Sequence, residues 1–109
     1  MAYDIELDSL IAKELDGREY IVAKKMFGGV GYLLNGNMAC GVHKDYLIVR
    51  VGPDNYSDAL EEPHTKVFDI TGRPMRGWVM ISKDAWTSSE LLKQWVDRGL
   101  TFAATLPAK

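Results

Sequence analysis

The chain has 109 residues, 47% of them apolar, a formal net charge of −2 and one cysteine. That length suits a single domain, 1–109, whose core needs no metal, and one cysteine excludes an intrachain disulfide. No apolar run approaches the ~20 residues of a membrane-spanning helix, Met1 to Leu10 carries three acids and no base to open a secretory signal, and the charge lacks the positive excess of a dedicated nucleic-acid domain.

Tyr3 to Leu15 reads as a helix. Asp4 can cap it, Leu7, Leu10, Ile11 and Leu15 form an apolar stripe at helical spacing, and Asp16-Gly17 stops it. Three strand-like segments follow: Tyr20 to Phe27, Val30 to Leu34 and Met38 to His43. Asn35-Gly36-Asn37 is a strong hairpin signal because Asn and Gly accept the positive φ of tight turns. Lys44-Asp45 turns the chain into Tyr46 to Val51, so Val30 to Val51 is expected to form an antiparallel meander. Gly52-Pro53 breaks the sheet. Asn55 to Glu62 predicts a short helix ended by Pro63, Val67 to Ile70 a weak strand, Thr71 to Gly77 a turn-rich loop and Trp78 to Ser82 a further strand.

The last helix carries the clearest local signal. Thr87 and Glu90 have capping-box spacing, Trp86 and Leu91 stand where a hydrophobic staple packs, and Leu92, Trp95, Val96, Gly99 and Ala103 line one face. Gly99 costs about 1 kcal/mol inside a helix unless close packing offsets it. Strands come in a block and do not alternate with helices. This predicts an α+β fold with an antiparallel sheet of five or six strands and three helices, in the order α-β-β-β-β-α-β-(β)-α.

Several residues invite a functional reading. Gly28-Gly29-Val30-Gly31 lacks the Lys-Ser/Thr of a P-loop and leads into Tyr32-Leu33-Leu34, a strand and not a helix, so a turn or bulge is expected there in place of a phosphate loop. Cys40 and His43 lie three apart on a strand and point to opposite faces. Alternation puts Cys40 with Met38 and Val42 as a buried thiol. His43 and His64 are too few to make a metal site without further ligands, and Asp58, Glu61 and Glu62 fall on a polar helix. No catalytic residue, metal or cofactor is therefore assigned, and the chain is read as non-enzymatic. In Gly72-Arg73-Pro74-Met75-Arg76-Gly77-Trp78, two arginines flank an apolar Met75. Arginine offers a fixed fork of donors for carboxylate or phosphate, and Arg, Met and Trp are enriched at protein interfaces. Lys24 and Lys25 face opposite ways, and the apolar pair Met26-Phe27 breaks the alternation.

Taken together, Met26-Phe27-Gly28-Gly29-Val30-Gly31, the Asn35-Gly36 turn before Met38, and Gly72-Arg73-Pro74-Met75 resemble the TfoX N-terminal domain family, also called TfoX/Sxy. The resemblance implies a compact α+β domain linked to natural competence, where full-length members act as co-activators beside a cyclic-AMP-responsive transcription factor. Such regulators carry a second, C-terminal domain, and this chain stops at Lys109, so a stand-alone domain is expected. The family brings no catalytic residues. The expectation is a cytoplasmic regulatory module with a protein partner, a transcription factor being one candidate, and a homodimeric state, docking through Met26, Phe27, Gly28, Gly29, Gly72, Arg73, Pro74, Met75 and Arg76. Two alternatives stand beside it: nucleic-acid binding through Lys24, Lys25, Arg73 and Arg76, or a small-molecule site between sheet and helices.

Overall fold

In the computed structural model, residues 3–26, 28–69 and 72–108 are described. Helix α1 (Ile5–Glu14) begins where the Asp4 carboxylate accepts the Leu7 N–H at 3.0 Å. Leu7 and Ile11 are fully buried, and Leu15 caps the far end. Tyr3 stays outside the helix and bridges to Lys44.

Strands β2 (Gly29–Leu34), β3 (Asn37–His43) and β4 (Tyr46–Arg50) form the expected meander, and β1 (Ile21–Met26) extends it by pairing antiparallel with β2. Asn35 and Gly36 join β2 to β3 with φ of 52° and 84°, the doubly positive pair that a tight hairpin demands. After β4 come a 3₁₀ turn (Pro53–Asn55), helix α2 (Tyr56–Leu60), strands β5 (Thr65–Val67) and β6 (Trp78–Ile81), and helices α3 (Lys83–Trp86) and α4 (Ser89–Ala103). The six-stranded sheet runs β1-β2-β3-β4-β6-β5, antiparallel throughout, so the fold is α+β.

Three expectations need correction. The strand placed at Val67 to Ile70 lies earlier, at Thr65–Val67, because Phe68 is drawn beneath the sheet; Ile70 is outside the described residues. The cap of α4 is Ser88, whose hydroxyl accepts the Leu91 N–H at 3.3 Å. Thr87 instead closes α3 and donates to the Lys83 carbonyl at 2.9 Å, and Leu91 is exposed. Finally, Met38 does not share a face with Cys40. The pairing steps from Tyr32↔Cys40 to Leu33↔Met38, which leaves Ala39 as a bulge and turns Met38 to the other side.

The helices cover one face. Leu7, Ile11, Val42, Leu47, Val49, Trp86 and Val96 lie in the larger core between them and the sheet. The Tyr32 hydroxyl donates to the Asp8 carboxylate of α1. Burial first, and then Asp8, raises the Tyr32 phenol above its ordinary value. On the opposite face Met38, Ile48, Phe68 and Met80 form a second, smaller cluster. Among the described residues no helix is long and apolar enough to cross a membrane.

Candidate functional site

The second cluster exists because the chain, on leaving β5, folds back under the sheet. Phe68 is buried there, its ring edge-on to His43 at 6.5 Å and tilted against Trp78 at 6.0 Å. From Gly72 onward the following loop is held by backbone bonds. The Gly72 N–H donates to the Asp69 carbonyl at 2.9 Å, Met75 to Phe68 at 3.0 Å, and Trp78 to Met75 at 3.1 Å. Gly72 has φ of +85°, a conformation L side chains rarely adopt. Met75 packs half-buried on the cluster, while Arg73, Pro74 and Arg76 stay exposed on either side of it. Among the described residues no carboxylate pairs with Arg73 or Arg76. Arg50, by contrast, is occupied between rings, 5.1 Å from the Trp78 centroid and 5.3 Å from that of Phe102.

The other motif is a strand connection. Met26 ends β1 opposite Gly29, which begins β2, and Gly28 between them has φ of +75°. Phe27 lies outside the described residues. A Cβ at Gly29 would stand 1.9 Å from the Val42 carbonyl oxygen and 3.4 Å from Cα of His43. The glycine therefore serves close strand approach, and the chain continues as a strand, without the helix N-terminus that a phosphate loop needs. The two motifs are linked through His43, which adjoins Gly29 by backbone and Phe68 by its ring.

Lys24 and Lys25 are exposed, and by alternation they lie on opposite faces of the sheet. His64 sits exposed in a turn with φ of 66°. Asp58, Glu61 and Glu62 are exposed, and Glu62 pairs with Arg98. Among the described residues no group of three His, Cys, Asp or Glu side chains could hold a metal ion. Two features escaped the sequence. Lys66 donates to the Tyr46 hydroxyl at 3.1 Å, which raises the Lys66 pKa, and both line a cleft of about 400 Å³ with His43, Lys44 and Asp69. A cavity of about 570 Å³ lies between Gly52, Asn55 and the α4 residues Asp97, Arg98 and Phe102. Its Asp97 and Arg98 are already engaged, by Arg18 with Lys93 and by Glu62 respectively.

Cys40 is fully buried in the larger core, and His43 faces the other cluster. Burial pushes the Cys40 thiol up to about 12. An unfolded thiol ionises near pH 8.5. Above that pH the native state holds a proton that the unfolded state has released, so stability falls as pH rises from about 9 towards 12. Wild type is expected to lose stability across that window relative to Cys40→Ala, measured as paired urea titrations. The native thiol should also ignore an aromatic disulfide reagent at pH 8 until urea is added.

The family model described as TfoX N-terminal domain matches residues 13–103. That stretch holds both glycine-bearing motifs, all six strands and α4. Comparison with curated proteins gives no match.

Proposed function

The chain belongs to the TfoX N-terminal domain family, and from that premise we propose that it is a non-enzymatic, cytoplasmic docking module of the competence-regulator type, presenting Arg73 and Arg76 to an acidic surface on a transcription factor. One observation carries this reading: two guanidinium groups, without a carboxylate partner among the described residues, project from a loop that Met75 pins to a buried cluster. A loop already held in place loses little freedom on binding, so its contacts translate into affinity with little ordering cost. Arginine's planar fork suits carboxylate pairs in particular. Nucleic acid has weaker support, because Lys24 and Lys25 lie on different faces and the net charge is −2.

The test is a titration of the purified protein into the cyclic-AMP-responsive transcription factor of the same organism, bound to its DNA site, with the DNA alone as a parallel arm. Binding to the protein–DNA complex is expected, and Arg73→Glu with Arg76→Glu should weaken it by about tenfold or more, as befits central interface arginines. Both side chains are exposed, so circular dichroism should show an unchanged fold. Equal binding by wild type and variant would defeat the proposal. Saturable, salt-dependent binding to the bare DNA would replace it with direct nucleic-acid recognition.

A further inference from the structure

The two edges of this sheet differ. β5 has three residues, the short kind of edge that resists pairing. β1 has six, in unbroken register with β2, and contains neither proline nor bulge. Among the described residues nothing pairs with its outer side. The Asn35 N–H donates to the Tyr20 carbonyl at 3.0 Å. Bonded and unbonded positions alternate along an antiparallel ladder. It follows that Val22 and Lys24 turn their backbone groups towards β2, whereas Ile21, Ala23 and Lys25 turn theirs outward.

The side chains along this edge are graded. Tyr20, 71% exposed, and Val22, 63% exposed, offer apolar surface at its head. Beside that end lies a notch of about 510 Å³ lined by Tyr20, Ile21, Leu34, Leu100 and Ala104 together with the polar Arg18, Glu19 and Thr101. At the tail, Lys24 and Lys25 are exposed and no carboxylate pairs with them among the described residues. A second copy added here would bring both pairs of lysines onto one narrow ribbon, and like charges at cross-strand positions repel. An acidic strand would neutralise them.

We propose that the outer edge of β1 receives an extended segment of a partner protein as an added antiparallel strand, with carboxylates against Lys24 and Lys25 and an apolar side chain in the notch. Backbone bonds to Ile21, Ala23 and Lys25 would supply affinity, and the charge gradient would set direction and specificity. This surface lies at the opposite end of the strand order from the Arg73–Arg76 loop, so the two readings stand or fall separately.

The probe is a synthetic peptide of about eight residues, a strand's length. It has two adjacent glutamates near its N-terminus, alternating valine and threonine, and a closing leucine. The control replaces both glutamates by lysine. Saturable binding of the acidic peptide alone is expected, with new protection of the Ile21, Ala23 and Lys25 amides against hydrogen exchange. Ala23→Pro should abolish it, because proline removes an outward N–H that the peptide needs, while the β1–β2 ladder does not use that N–H. Lys24→Glu with Lys25→Glu should weaken binding by about tenfold or more. Should Ala23→Pro fail to fold, the amide protection in wild type carries the test. No binding, equal binding of the control peptide, or binding that leaves those amides unprotected would overturn the proposal. So would a concentration-dependent dimer that protects them without peptide, since the edge would then belong to a second copy.

Discussion

Replacing Trp86 by alanine is expected to lower the unfolding free energy by about 3–5 kcal/mol, the usual cost of removing a buried aromatic. Against the 5–15 kcal/mol typical of a whole domain, that is a large share. Trp86 is fully buried, and its Nε1–H donates to the Asp45 carbonyl at 2.9 Å, in the turn between β3 and β4. It is the last residue of α3, a helix of four residues that has no stability of its own at that length. One side chain therefore fastens the α3–α4 connection to the sheet. Trp86→Phe separates the contributions, because it keeps most apolar contact and loses the hydrogen bond. A part-buried hydrogen bond of this kind is worth about 1–2 kcal/mol, so this variant should lose about that much. Urea unfolding followed by circular dichroism measures both without relying on the fluorescence of the altered residue. A loss below about 1 kcal/mol for Trp86→Ala would mean that α3 is not anchored as described.

What was legible in the sequence is what neighbours along the chain decide. Asp4 reaches an amide three residues on, Asn35-Gly36 makes its own turn, and the buried stripe Leu92, Trp95, Val96, Gly99 and Ala103 follows from helical spacing. What was missed is decided across the chain. Ala39 bears no turn chemistry, yet it bulges where α4 presses on β3, and that one-residue slip sends Met38 to the other face. Val67 to Ile70 has the better strand composition, but Phe68 gains more by lying under Ile48 and Met80, and pairing with β6 moves to Thr65–Val67. The Arg73–Arg76 loop could be seen as exposed and interface-like. Its anchorage through Met75 depends on packing against the second cluster and on backbone bonds with Phe68 and Trp78, and no local pattern encodes all of these. The β1 edge was hidden for a related reason: which strand ends a sheet is a property of strand order, and composition does not carry it.

Gly99→Ala is expected to destabilise the protein by about 2 kcal/mol, although helix propensity alone favours alanine by about 1 kcal/mol. The sign is reversed by contact. A Cβ at position 99 would stand 2.3 Å from the Ala39 carbonyl oxygen, 3.1 Å from its carbon and 3.3 Å from Cγ1 of Val49. The first two atoms are backbone in the middle of the sheet and cannot swing aside, so α4 must lift or β3 must bend. Overpacking of that kind costs about 1–3 kcal/mol, and an overlap with backbone belongs at the upper end. Thr101→Ala, two residues further along α4 and exposed, serves as the control: there propensity acts unopposed and a gain of a few tenths of a kcal/mol is expected. Urea midpoints at unchanged slope report both. A lifted α4 would also carry Leu100 and Ala104 away from Tyr20, Ile21 and Leu34 and so widen the notch beside β1. Gly99→Ala should therefore weaken the acidic peptide even where the protein remains folded. If it stabilises the chain instead, the helix is not seated on the Ala39 bulge.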